Sequence, residues 1–269
     1  MEINLINCFC TQGINSGNPA AIVQNFIMDT TEKQKLAKKL NMPVTVFLSE
    51  NKNESHNVEF FYPDTEMPLC LHGTIGAAYL LFNNTEFKNL VFITKNGNKL
   101  LIRRERDIIQ VLVSAQQAPE IIPQQTEICK MLNLKSTDQT DNRLPLGIFS
   151  VGSPKLLVPL ASLESLAKLE PNFDLITKWS ISNGVNGMYI YTKNPHDSIV
   201  NARGFNPKTG HNEDAATGVA AAALALSLKQ NLVISQGAFI QRPSEINVSY
   251  DSPNAIWVGG KVVFISKLE

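Results

Sequence analysis

The chain has 269 residues, enough for one large or two medium domains, and its 24 lysines and arginines are balanced by 24 aspartates and glutamates. The basic run Arg103-Arg104-Glu105-Arg106 is interrupted by an acid, which argues against nucleic acid or an anionic membrane surface as a partner. No apolar stretch reaches the roughly 18 residues of a membrane span, and Met1-Glu2-Ile3-Asn4 lacks the basic start of a signal peptide, so the expected location is cytoplasmic.

In chain order, strands are expected over residues 3–9, 20–23, 45–48, 58–62, 90–94, 99–103 and 108–113. Turn formers separate them, among them Asn15-Ser16-Gly17-Asn18-Pro19 and the hairpin-like Lys95-Asn96-Gly97-Asn98. Thr30 or Thr31 caps an amphipathic surface helix that runs to Leu40. Residues 74–82 are instead apolar nearly all round, as expected of a helix enclosed by sheet. The stretch 116–123, with prolines at 119 and 123, is the best boundary between halves. Beyond it the plan repeats, with strands over 146–151, 155–159, 187–192, 199–205, 231–234, 245–250 and 256–265 and an apolar helix over 219–228. The cysteines Cys8, Cys10, Cys70 and Cys129 show no paired Cys-x-x-Cys spacing; they read as buried free thiols, with Cys8 and Cys10 on one face of a strand, and no metal is expected.

The repeat is visible in the residues. At an offset of 145, Gly73 falls on Gly218, Ala77 on Ala222, Ala78 on Ala223 and Leu81 on Leu226, so two small-residue helices begin with equivalent glycine-bearing turns. Each turn also carries polar groups that a plain helix start does not require: His72 in the first, the Glu213-Asp214 pair in the second. Two halves facing each other would bring an imidazole, a carboxylate and the free N–H groups of two helix N-termini to one cleft, which suits a small anionic ligand.

Several motifs resemble the phenazine biosynthesis PhzF-like family, in the family's order and across almost the whole chain. They are Phe9 with Gly17-Asn18-Pro19-Ala20-Ala21-Ile22-Val23, then Glu66-Met67-Pro68-Leu69-Cys70-Leu71-His72-Gly73-Thr74, then Arg203-Gly204-Phe205-Asn206-Pro207, Glu213-Asp214-Ala215-Ala216-Thr217-Gly218, and Gln236-Gly237 with Arg242-Pro243-Ser244. The resemblance implies an α+β, diaminopimelate epimerase-like fold: two pseudo-symmetric halves, each a curved, mostly antiparallel sheet or barrel around a central helix. The expected halves are residues 1–117, joined by a returning C-terminal strand over about 256–269, and residues 118–255. It also implies an active site between the halves, a homodimer, and no metal or organic cofactor.

The best-understood members of that family move a proton on trans-2,3-dihydro-3-hydroxyanthranilate, using a glutamate in a Ser-Glu-Thr-x-Phe segment assisted by the His and Asp of the two turns. Here the matching segment is Pro43-Val44-Thr45-Val46-Phe47, so Val44 stands in place of the glutamate and cannot carry a proton. The usual Cys-Gly-His-Ala-Thr has become Cys70-Leu71-His72-Gly73-Thr74, and Val219 replaces a common serine. The two-thiol mechanism of the epimerases is not available either: Cys70 matches the first thiol, but Ala215 occupies the place of the second.

The resulting expectation is an isomerase or epimerase-type protein acting by proton transfer on a small carboxylate metabolite. His72 would move or polarise the proton and Asp214 would orient it, although an aspartate there is also suited to capping the helix that starts near Thr217. Asn18, Gly73, Thr74, Gly218 and Val219 would bind substrate. The enzyme reading needs a carboxylate from elsewhere, such as Glu66 or Asp64. The alternative is a family member that has lost its chemistry and binds a metabolite or a protein partner.

Overall fold

In the first of two units, Met1–Leu112 with Trp257–Glu269, β-branched and aromatic runs supply the strands β1 (Glu2–Cys10), β2 (Asn18–Gln24), β3 (Thr45–Glu50), β4 (His56–Phe61), β5 (Glu66–Met67), β6 (Asn89–Thr94), β7 (Lys99–Glu105) and β8 (Ile108–Val113). The computed structural model describes residues 1–13, 15–50, 55–84, 86–121, 123–135, 140–193 and 199–268. The strand order β1-β2-β3-β4-β6-β7-β8 continues onto the last strand of the chain, β16 (Ala255–Leu268), which pairs antiparallel with β1 from Ile3 opposite Leu268 to Cys10 opposite Lys261. The sheet therefore closes on itself, which removes free edges.

Two helices complete this unit. The surface helix α1 (Thr30–Leu40) begins one residue earlier than expected: Asp29 is its cap, accepting from the Glu32 amide at 2.9 Å while the Glu32 carboxylate accepts from the Asp29 amide at 2.9 Å. Its apolar side covers a cluster of Ala21, Val23, Phe47 and Phe61. The second helix, α2 (Leu71–Asn84), starts three residues before the apolar run, because the Cys70 carbonyl accepts both the Thr74 amide (2.9 Å) and the Thr74 hydroxyl (2.8 Å). It packs on β1, β2, β3 and β7.

The unit Val113–Ile256 contains β9 (Gly147–Phe149), β10 (Lys155–Pro159), β11 (Met188–Lys193), β12 (Ile199–Asn206), β13 (His211–Asp214), β14 (Leu232–Gln236) and β15 (Ser244–Ser252). Its helices are α3 (Gln125–Leu132), α4 (Leu163–Ala167), α5 (Phe173–Ser182) and α6 (Gly218–Leu228). The pairing scheme of the first unit recurs in it. In the first, β1–β2 is antiparallel, β2–β3 parallel, β3–β4 antiparallel, β4–β5 antiparallel, β4–β6 parallel and β6–β7 antiparallel. The same sequence of senses runs through β9–β10, β10–β11, β11–β12, β12–β13, β12–β14 and β14–β15. The offset of 145 residues is thus the trace of a repeated supersecondary unit, with α2 and α6 at the same place in each copy.

Three helices, α3 to α5, were not expected; they are short, and Ile128, Met131, Leu132, Leu166 and Ile176 bury their apolar sides against Leu156, Val158, Met188 and Ile190. α6 is buried from Ala220 to Ala225 and packs on β9, β10 and β15. In the expected boundary stretch the Gln116 amide bonds the Ser150 carbonyl at 2.9 Å; Ile122 lies outside the described residues.

The cysteines are all free, with Cys8, Cys10 and Cys70 buried and Cys129 half-buried. Strict alternation fails between Cys8 and Cys10, where Phe9 adopts φ 61° and the register with β16 slips. Cys8 Sγ consequently lies against Gly76 of α2, and the Cys10 thiol donates to the Asn7 carbonyl at 3.2 Å.

Candidate active-site turns

The first turn is the start of α2. Cys70 and His72 are 4% and 8% exposed, and Cys70 Sγ lies 3.2 Å from His72 Nδ1 and 3.8 Å from Nε2. A thiol and an imidazole thus share the N-terminal end of a helix, where the dipole favours negative charge. Behind them, the Cys8 thiol is pushed up from its ordinary range by burial and then by the neighbouring thiols of Cys10 and Cys70.

Val44, just before β3, is fully buried, and its main-chain oxygen accepts from the Ala21 amide at 3.0 Å. A Cβ at Gly73 would lie 2.7 Å from Val46 Cγ2, 3.2 Å from Val44 Cγ1 and 3.4 Å from the Phe60 ring. Position 44 therefore faces the turn that carries His72, and Val46 with Val44 leaves little room for a side chain at residue 73.

The other expected residues of this unit fall on both sides of the turn. Thr74 is fully buried and spends its hydroxyl on the Cys70 carbonyl, which assigns it to building the helix start. Asn18, 1% exposed, opens β2 opposite Cys8. Of the two candidates for a replacement carboxylate, Glu66 is engaged by Lys95 at 2.8 Å and Asp64 by Lys38 at 3.0 Å.

The second turn joins β13 to α6. Asp214 Oδ2 accepts from the Thr217 hydroxyl at 2.8 Å, so it holds the side chain of the cap residue and leaves the main chain to another group. That group is Gln236, whose Oε1 accepts from the Thr217 amide (3.1 Å) and the Tyr189 hydroxyl (2.9 Å), while its Nε2 donates to the Asp214 carbonyl (2.8 Å) and Thr217 Oγ1 (3.1 Å). Burial, followed by the field of Asp214, pushes the Tyr189 hydroxyl far above its ordinary range, so it remains a donor. Gly218 and Val219 form the first helical turn, whose N–H groups lack intrahelical acceptors.

Glu213 has a different task. Its carboxylate receives Arg203 in a two-point fork at 3.0 and 2.7 Å, with both side chains 9% exposed, and Arg203 also donates to the carbonyls of Leu166 and Leu169 at 3.1 Å. The pair anchors β13 and leaves Asp214 to the turn.

Sequence reasoning missed Lys155, 2% exposed, whose Nζ donates to Asn206 Oδ1 and to the Asn186 carbonyl. Burial lowers its pKa to about 8, against the pull of Asp214 in the opposite direction. Its signal was a cation opening the otherwise apolar strand Lys155-Leu156-Leu157-Val158-Pro159. Among the described residues no group of three His, Cys, Asp or Glu side chains is arranged to hold a metal ion, and no helix is long and apolar enough to cross a membrane.

Residues 6–267 match the family model of the phenazine biosynthesis-like proteins (PhzC-PhzF). An uncharacterized isomerase of Clostridium acetobutylicum is 29% identical, with 94% of this chain and 93% of that one covered. A trans-2,3-dihydro-3-hydroxyanthranilate isomerase of Pseudomonas chlororaphis is 26% identical over 89% of this chain and 87% of its own. The crystal structure of a Bacillus anthracis phenazine biosynthesis protein of the PhzF family superposes with a TM-score of 0.88 at 23% identity, covering 100% of this chain and 98% of that one. The α+β architecture is the diaminopimelate epimerase-like fold. With the match running almost end to end, the chain belongs to the phenazine biosynthesis-like family, the isomerases of PhzF type.

Proposed function

We propose that this chain is a cofactor-independent isomerase that moves a proton within a small carboxylate metabolite, with His72 as the proton carrier and Asp214 as the group that orients the reactants. The observation that carries the reading is the buried Cys70–His72 pair, 3.2 Å apart at the start of α2. An imidazole titrates near neutral pH, and a thiol partner fixes its ring and exchanges a proton with it. The substrate gives a C–H proton to His72, the electron pair spreads into the system conjugated with its carboxylate, and the proton returns to a different carbon of the same molecule. No oxidant or reductant is consumed. Asn18 and the first-turn amides at Gly73, Gly218 and Val219 are the proposed binding groups.

The Pseudomonas relative makes trans-2,3-dihydro-3-hydroxyanthranilate the first compound to try. The test is NMR-detected deuterium incorporation from heavy water into that compound and related small carboxylates. Exchange by the natural protein that disappears in His72→Ala is the expected result. Binding without exchange, with exchange appearing only in Val44→Glu, would replace this reading with a second one that the buried, proton-free Val44 favours: a family member that keeps its site for binding and has given up the reaction.

The reading includes a cytoplasmic homodimer. Phe264, Ile265 and Leu268 on β16 leave large apolar side chains exposed, in keeping with a second copy, and light scattering of the purified chain tests the oligomeric state.

A further inference from the structure

The two copies of the repeated unit differ on one face of β4 and β12. The Ala21 amide bonds the Val44 carbonyl and Ala21 stands opposite Thr45; the Leu156 amide bonds the Gly187 carbonyl and Leu156 stands opposite Met188. One residue on, Val46 matches Tyr189, and their cross-strand partners Phe60 and Gly204 match in turn. Glu59 therefore corresponds to Arg203. Since Met67 stands opposite Phe60 and Asp214 opposite Gly204, Glu66 corresponds to Glu213. Both strands change partner at this point: β4 leaves β6 after Val58 and takes β5 at Phe60, and β12 leaves β14 after Asn201 and takes β13 at Gly204. Two neighbours that diverge from one strand leave a crevice between them.

In the second unit the crevice carries its own occupant. The Arg203 guanidinium is forked by Glu213 at 3.0 and 2.7 Å and donates to the carbonyls of Leu166 and Leu169. In the first unit the matched residue is an acid, so the same place is bordered by two carboxylates. Each takes one lysine: Lys33 of α1, which lies over the rings of Phe26 and Phe47 at 5.1 and 5.6 Å, donates to Glu59 Oε1, and Lys95 donates to Glu66 Oε2 at 2.8 Å. The second oxygens, Glu59 Oε2 and Glu66 Oε1, have no hydrogen-bond partner among the described residues. An opening of about 280 Å³ is bordered by Glu59, Glu66, Lys95 and Asn96, and it shares Glu59 and Lys95 with a cavity of about 590 Å³ that reaches Asp29 and Thr30 at the start of α1. In the second unit the position of Lys95 is taken by Gly237, where a Cβ would lie 2.2 Å from the Arg242 carbonyl oxygen, so main chain closes that side.

We propose that the opening beside Glu59 is a second ligand site, for a free amino acid with a guanidinium side chain. The guanidinium takes the second oxygens of Glu59 and Glu66, in the place that Arg203 fills in the other unit, and the carboxylate of the ligand takes Lys95. A planar fork of donors suits two carboxylates better than a compact ammonium does. Lys95, 47% exposed, has room to turn toward the ligand, while the buried Lys33 keeps Glu59 in place. Phe60 presses on Gly73, and its neighbour Glu59 leaves the opposite face of β4, so the site stands apart from the His72 turn and from the isomerase reading.

The test is a titration of the isotope-labelled full chain with L-arginine, followed by amide NMR shifts. It is repeated with agmatine, which lacks the carboxylate, and with L-citrulline, whose side chain ends in a neutral urea. Saturable shifts centred on Glu59, Met67 and Asn96 are expected, with affinity falling from arginine through agmatine to citrulline and the last step from arginine amounting to about tenfold or more. Glu59→Gln is expected to weaken arginine by about tenfold as well. If loss of the partner of Lys33 keeps that variant from folding, Glu66→Gln, at a half-exposed pair, gives the same reading. No saturable shift on β4 and β5 at millimolar arginine, citrulline or agmatine binding as tightly as arginine, or undiminished arginine binding in a folded variant overturns the proposal. None of these readouts uses turnover, so this site and the isomerase reading fail separately.

Discussion

The two turns are built on matched ladder positions and filled with opposite chemistry. In the first unit Val46 stands opposite Phe60, and both press on Gly73 together with Val44. In the second unit the matched pair is Tyr189 opposite Gly204, and Gly187 matches Val44. Tyr189 reaches Gln236 with its hydroxyl, while a Cβ at Gly204 would lie 2.6 Å from Thr217 Oγ1 and 3.0 Å from Gln236 Nε2. One backbone plan therefore accepts either an apolar wall or a polar network at a helix start, and three side chains decide which. The wall leaves an imidazole and a thiol to hold each other; the network must satisfy each of its buried donors, and Gln236 does so with both ends of its amide.

The largest effect is expected where the second turn is anchored. Arg203→Met leaves the buried Glu213 carboxylate without its fork, and urea unfolding should show a loss of about 3–5 kcal/mol; a loss under about 1 kcal/mol would mean that β13 is held by something else.

Next comes the buried lysine of β10. The folded-state pKa of Lys155 lies below that of a free lysine, so the unfolded chain binds more protons between about pH 8 and 10.5 and stability rises with pH through that window. Lys155→Met should remove this rise, on the order of 3 kcal/mol in total, in a comparison of unfolding curves across the range. Parallel pH profiles for the two proteins would refute a depressed Lys155.

Gly73→Ala probes the apolar wall, since its new Cβ meets Val46 at 2.7 Å; we expect a cost of about 1–3 kcal/mol, largely recovered in the double variant with Val46→Ala. Absence of recovery would show that the glycine is needed for the backbone rather than for the valine. The smallest effect is expected outside both turns. Glu66→Gln breaks a half-exposed pair with Lys95, so stability should change by less than about 1 kcal/mol and deuterium exchange should be unaffected. A large loss of exchange would restore Glu66 as a proton carrier.

Much of this was legible along the chain because the signals are local. Alternation and β-branching placed most strands, the uninterrupted apolar runs placed the two central helices, and the spacing of Gly73 from Gly218 revealed the repeat before any pairing was known. Short elements such as α4 and β13 escaped, since five or four residues carry too little periodicity and are made by their neighbours. The motifs singled out His72 and Asp214 as residues, but not their partners. That Val44 faces Gly73, that Arg203 takes Glu213 and so leaves Asp214 to Thr217, that Glu66 is spent on Lys95, and that Lys155 reaches Asn206 across 51 positions are outcomes of tertiary packing. A residue's type and its neighbours in sequence determine which backbone it favours and which proton or charge it can carry. Which opposite charge or acceptor it meets depends on strands brought together from far along the chain, and only burial among them turns an ordinary lysine or glutamate into a costly charge that needs its particular partner.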